Sequence, residues 1–114
     1  MAQPEFLSGM LRVLILNELS RGPGYGYGIA KGITQRSGGE LPVRPESLYP
    51  VLHRMESDKL VSVAWEHAEN GRPRKMYKLT AKGKRQWEKA KPKFVAMSTG
   101  ALRAIGEEPA GGKP

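Results

Sequence analysis

Apolar residues recur along this chain in two rhythms, and the change from one to the other marks out its elements. Leu7, Leu11 and Leu14 return at three-to-four spacing, Leu19 continues the stripe, and Val13 and Leu16 widen it. That period predicts a helix from Leu7 to Leu19, with Ser8 placed to cap its start. Arg21-Gly22-Pro23-Gly24 ends it in a turn. Tyr25, Ile29 and Ile33 mark a second helix from Tyr25 to Arg36. Gly26, Gly28 and Gly32 each weaken it by roughly 1 kcal/mol relative to Ala, so packing must hold it, and a neighbour can approach closely. Ser37-Gly38-Gly39 closes this helix, and Leu41-Pro42-Val43 predicts a short extended piece, because the residue before proline avoids the helical region.

A third helix begins near Pro45, a residue suited to a first turn. Leu48, Leu52 and Met55 share one side of it with Val51 beside them, while Glu46, Pro50, His53, Arg54 and Ser57 share the other. Pro50 has no N–H and crowds the carbonyl of Glu46, so either the first turn is irregular or the regular helix begins near Ser47. Asp58-Lys59 closes the helix. From Val61 the period drops to two: Val61, Val63 and Trp65 point one way, and Arg74 to Leu79 returns with Tyr77 and Leu79 facing inward. Asn70-Gly71 supplies turn residues between these strands. The connection is longer than a two-residue hairpin loop, so it projects as a wing. Thr80 caps a last helix reaching about Ile105, in which Trp87, Ala90, Phe94, Met97, Ala101 and Leu102 form a helix–helix seam that Pro92 bends.

The fold class expected from this order is mainly α with a small β-wing: a winged helix-turn-helix followed by one long C-terminal helix. Residues 1–79 form the winged unit, 80–105 the C-terminal helix, and 106–114 a Gly/Pro-rich disordered tail. At 114 residues and 39% hydrophobic, the chain can build one modest core, and a chain of this size often gains stability by burying surface in an oligomer.

Charge sharpens the picture by its position. The net charge is +8, and ten of the 19 basic residues fall between Arg72 and Lys93 with one acid, Glu88, so this stretch carries +9 and the remainder −1. A run that starts inside a predicted hairpin, next to a presented polar helix face, points to a polyanion-binding surface. A presented helix beside a basic hairpin is how a winged helix grips DNA. Glu46, Ser47, Pro50, His53 and Arg54 are the candidates to face a groove, and Tyr49 to place its hydroxyl on a phosphate. Arg72, Arg74 and Lys75 on the wing are candidates for phosphate or minor-groove contact. Two successive major grooves require a two-fold dimer, and Leu7, Leu11, Trp87, Phe94, Met97, Ala101 and Leu102 are its expected interface.

Other chemistries lack their residues. There is no cysteine, hence no disulfide, thiolate ligand or thiol nucleophile, which fits a reducing cytoplasm. His53 and His67 fall on different elements with no compact ligand set, so no metal site is expected. Gly24, Gly26 and Gly28 are not followed by the Gly-Lys-Ser/Thr of a phosphate loop. No catalytic constellation and no cofactor motif is present. No apolar run approaches the roughly 20 residues of a membrane span, and no export signal is expected at the N-terminus.

Four ordered blocks carry a resemblance: Gly22-Pro23 with Tyr25-Gly26-Tyr27-Gly28-Ile29; Ser47-Leu48-Tyr49-Pro50 with Leu52, Arg54, Met55 and Glu56; Gly71-Arg72-Pro73-Arg74-Lys75 leading to Tyr77; and Leu79-Thr80 with Gly83. In this order they resemble the PadR family of bacterial transcriptional regulators, in its short form with a single C-terminal dimerisation helix. The chain departs from the family pattern in three places. Lys59 stands where the family usually has glycine, and so must take a left-handed conformation or change the cap. Met76 replaces a common aromatic residue. Phe94 falls where some relatives place a tryptophan that stacks on flat ligands. The resemblance implies a dimeric repressor on an inverted repeat, released by a small aromatic effector for which Trp87 and Phe94 are the candidate lining residues. The competing reading is a ligand-sensing or protein-interaction module whose winged helix does not bind DNA.

Overall fold

A computed structural model describes Leu7 and residues 9–107. The elements are α1 (Leu11–Ser20), β1 (Gly24–Tyr25), α2 (Gly26–Arg36), α3 (Pro45–Ser57), β2 (Val61–His67), β3 (Pro73–Leu79) and α4 (Ala81–Ala104). This is the expected winged helix-turn-helix with a long last helix. The sheet, however, has three antiparallel strands in the order β1-β3-β2, not two. Gly24 pairs with Tyr77 and Tyr25 with Met76. A strand of two residues has no alternation to read, and Tyr25 therefore looked like the first residue of a helix that begins at Gly26.

The first helix is also shorter than its stripe. Gly9 and Met10 form a turn, and α1 starts at Leu11. Leu7 is helical itself, and its carbonyl accepts from the Met10 N–H at 2.9 Å. The expected Ser8 cap lies outside the described residues. At α3 the two prolines are accommodated in one unbroken helix from Pro45. The Ser47 N–H donates to the Arg44 carbonyl at 3.0 Å, a three-residue bond that tightens the first turn. The first turn is thus irregular, while Pro50 is carried inside the helix. Lys59 has φ of +65°, so it does adopt the left-handed conformation. Leu41 to Val43 forms no strand; the Val43 N–H is instead held by Thr34 Oγ1 at 3.0 Å.

The core is built by one face of each element: Leu11, Ile15, Leu16 and Leu19 from α1, Ile29, Ala30 and Ile33 from α2, Leu48, Leu52 and Met55 from α3, and Val61, Tyr77 and Leu79 from the strands. Thr80 caps α4 as expected, its Oγ1 accepting from the Gly83 N–H at 3.0 Å. The first half of α4 packs on α1 through Trp87 and Ala90, which rest against the core beside Met10 and Leu14. No helix among the described residues is long and apolar enough to cross a membrane.

Candidate nucleic-acid interface

The polar side of α3 follows from the burial of its other side. Leu48, Leu52 and Met55 are fully buried, which turns Glu46, Tyr49, Pro50, His53 and Arg54 outward and leaves Ser47 half-buried. Gly26 at the start of α2 sets where Tyr49 lies. A Cβ at residue 26 would sit 2.6 Å from Tyr49 Cε1, so only a glycine lets that ring pass. On the wing, Arg72 and Arg74 are exposed and Lys75 is half-buried. Gly71, at φ of +84°, turns the loop, and the Arg72 N–H donates to Asn70 Oδ1 at 3.0 Å.

Between α3 and the wing runs a cleft of about 760 Å³. Tyr49 and His53 line it from α3, Trp65, Arg74, Lys75 and Tyr77 from the strands, and Tyr25 to Gly28 close its base. Of the nine residues expected to meet nucleic acid, four therefore share this cleft: Tyr49, His53, Arg74 and Lys75. Glu46, Ser47, Pro50, Arg54 and Arg72 do not line it. Arg54 is exposed in the last turn of α3, where its charge also complements the helix dipole.

Trp65 keeps its expected face but not the burial of its neighbours. It shares a sheet face with Val61 and Val63, but the core ends at Val63, and Trp65 is 65% exposed. It is the register partner of Lys75, whose Nζ lies 5.5 Å from the indole ring centroid, within reach of a cation–π contact. Its exposure follows from strand length: the wing runs on past the last residue the core can cover.

Tyr25 lines the cleft and bonds to Glu66, which does not line it, and the sequence singled out neither as a binding residue. The Tyr25 hydroxyl donates to Glu66 Oε1 at 2.5 Å, and the Arg74 guanidinium carbon stands 3.8 Å above the Tyr25 ring centroid. The hydrogen bond to Glu66 raises the Tyr25 pKa above its ordinary 10.0, burial adds to this, and the Arg74 charge opposes it. Burial raises the Tyr77 hydroxyl in the same direction, helped by the nearby Glu56 carboxylate.

A second concavity, of about 930 Å³, lies along α4. Met10 and Val13 line it from the α1 side, and Ala90, Phe94, Met97, Ala101, Leu102 and Ile105 supply its apolar lining along α4, with Gln86, Lys89, Lys93 and Ser98 as polar members. Four of the seven residues expected at a dimer interface are gathered here: Phe94, Met97, Ala101 and Leu102. The other three are not. Leu7 and Leu11 are 1% and 2% exposed and belong to this chain's own core, so they have no surface left for a partner. Trp87 packs on that core as well, and so does not join Phe94 in the groove. Trp87 is only half-buried there, so part of its ring remains open to a partner.

A family model described as the transcriptional regulator PadR-like family matches residues 15–89. Among solved structures, the PadR-like transcriptional regulator of Bacillus cereus is 30% identical, with a TM-score of 0.73 over 92% of this chain and 100% of that one. The PadR family transcriptional regulator of Eggerthella lenta is 28% identical, with a TM-score of 0.73 over 90% of this chain and 87% of that one. Bacillus subtilis PadR, solved in complex with operator DNA, shares the fold at 24% identity and a TM-score of 0.64, over 69% of this chain and 45% of that one.

Proposed function

The chain belongs to the PadR-like family of transcriptional regulators, and from this premise we propose that it works as a homodimer that binds double-stranded DNA and represses transcription from an inverted repeat. The observation that carries the reading is the cleft between α3 and the wing, lined by Tyr49 and His53 of α3 and by Arg74 and Lys75 of the wing. The +9 stretch of the sequence begins on this wing. A duplex phosphate chain is the polyanion such a surface suits. The relative in Bacillus subtilis is held on operator DNA, and we extend that kind of binding to this chain.

In this reading α3 enters the major groove, with Glu46, Ser47, Pro50 and His53 toward base edges. Tyr49, Arg54, Arg72, Arg74 and Lys75 hold phosphates, and so supply affinity and register more than sequence information. Pairing two such units through the α4 groove sets the recognition helices about 34–36 Å apart, the spacing of successive major grooves. Residues 1–79 act as the DNA-binding unit, 80–105 as the pairing helix, and the cytoplasm is the compartment. A small aromatic effector seated beside Phe94 releases the dimer by binding one spacing of the two units better than the other.

Titration of duplex DNA at several salt concentrations tests the proposal. The logarithm of affinity should fall linearly with that of salt, by about 0.9 for each phosphate neutralised. Arg72→Ala, Arg74→Ala and Lys75→Ala should each reduce the slope by about 1 and weaken all duplexes alike. A slope near zero for the wild type favours instead an interaction module that has lost its DNA.

A further inference from the structure

All three strands of the sheet meet at one cluster of side chains. Glu66 on β2 and Arg74 on β3 are register partners, and Tyr25 on β1 pairs with Met76, two residues along β3. Alternation puts Tyr25, Glu66 and Arg74 on the sheet face opposite Tyr77. A carboxylate and a guanidinium directly opposite on an antiparallel ladder are placed to form an ion pair. They do not form one. The ion pairs found among the described residues join Arg12 to Asp58 and Arg36 to Glu18. Glu66 instead accepts from the Tyr25 hydroxyl at 2.5 Å, and the Arg74 guanidinium carbon stands 3.8 Å from the Tyr25 ring centroid.

We propose that Tyr25 partitions charge on the wing: by engaging Glu66 with its hydroxyl and Arg74 with its ring, it keeps the Arg74 guanidinium out of the cross-strand ion pair and available to a phosphate. A guanidinium seated over a ring keeps its in-plane N–H donors, and those that do not reach the Tyr25 hydroxyl can fork onto phosphate oxygens. Glu66 is an acid on a wing that should attract phosphate. Bonded to a phenol, it takes no cation away from the duplex. Tyr25 is thus a positioning residue, and its role rests on the DNA-binding reading above.

Removing only the hydroxyl isolates this role. Tyr25→Phe keeps the ring beneath Arg74 but frees Glu66 to pair with it. The salt slope of duplex binding should then fall by about 0.9, the loss of one phosphate contact. Adding Glu66→Gln to Tyr25→Phe removes the competing charge and should restore both slope and affinity. A tyrosine that merely supports the sheet predicts no such rescue. An unchanged slope in Tyr25→Phe, or an unrescued double variant, overturns the proposal. A second measurement needs no DNA. As pH rises through the carboxylate range, the Arg74 Hε resonance should move downfield in Tyr25→Phe, and should do so much less in the wild type or the double variant. Equal movement in wild type and Tyr25→Phe also overturns it. If the wild type binds no duplex at any salt, the DNA reading fails, and the Arg74 resonance alone decides whether Tyr25 holds the two charges apart.

Discussion

The Leu60 N–H donates to the Met55 carbonyl at 2.9 Å, and this bond ends α3. With the Lys59 N–H bonded to the Glu56 carbonyl at 3.0 Å, it completes a Schellman cap, whose penultimate residue must be left-handed. Lys59 fills that position at φ of +65°, where a side chain is strained by roughly 1–2 kcal/mol. Lys59→Gly should relieve the strain, lose part of the gain to the greater freedom of the unfolded chain, and stabilise the protein by about 0.5–1 kcal/mol. A urea midpoint that falls would show the strain to be absent.

Thr80 joins this cap to the next helix. Its Oγ1 accepts from Gly83 and donates to the Lys59 carbonyl at 2.7 Å. Thr80→Ala should cost about 1 kcal/mol for the lost cap and about 1 kcal/mol more for the second bond. Thr80→Ser should recover most of both, as read from denaturant melts of the two variants.

Gly26→Ala separates stability from binding. The added methyl favours α2 by about 1 kcal/mol but displaces the half-exposed Tyr49 ring that lies against residue 26. Thermal stability should stay within about 1 kcal/mol of the wild type, while affinity for duplex DNA drops. Unchanged affinity would take Tyr49 out of the binding surface.

On α4, Met97 is 67% exposed at the floor of the groove shared by Met10, Val13 and Phe94. Met97→Glu should leave the fold of each chain intact and shift sedimentation toward the monomer. Loss of helicity at low concentration would mean that this residue supports the chain itself.

Alkaline pH should loosen the sheet. Tyr25 and Tyr77 both titrate above their ordinary 10.0, so folding favours their neutral forms. That stabilisation is complete below pH 10.0 and is lost as pH rises through the raised values. Tyrosinate absorbance should show two of the four tyrosines ionising late in folded protein, and the delay should vanish in urea.

Much of the fold was legible because it rests on periodicity. Leu48, Leu52 and Met55 declared the buried side of α3, Tyr77 and Leu79 that of β3, and Thr80 the start of α4. What escaped reading depends on where the core stops. Trp65 keeps the inward phase of its strand yet lies beyond the last covering side chain. Leu7 and Leu11 have seam spacing, but spacing does not say which neighbour fills the seam, and here it is the chain's own core, against which Trp87 also packs in part. Tyr25 carried no signal for a strand two residues long, nor for contacts with residues 41 and 49 positions away. Those contacts arise only when β1 joins the edge of the sheet.

One property of α4 has a consequence for how such chains diversify. Its first half is committed to holding its own unit together, while Met97, Ala101 and Ile105 on its second half contribute nothing to the core. In the proposed dimer, substitutions there would change pairing without reopening the problem of folding, so the partner a chain accepts and the stability of its own unit can vary separately.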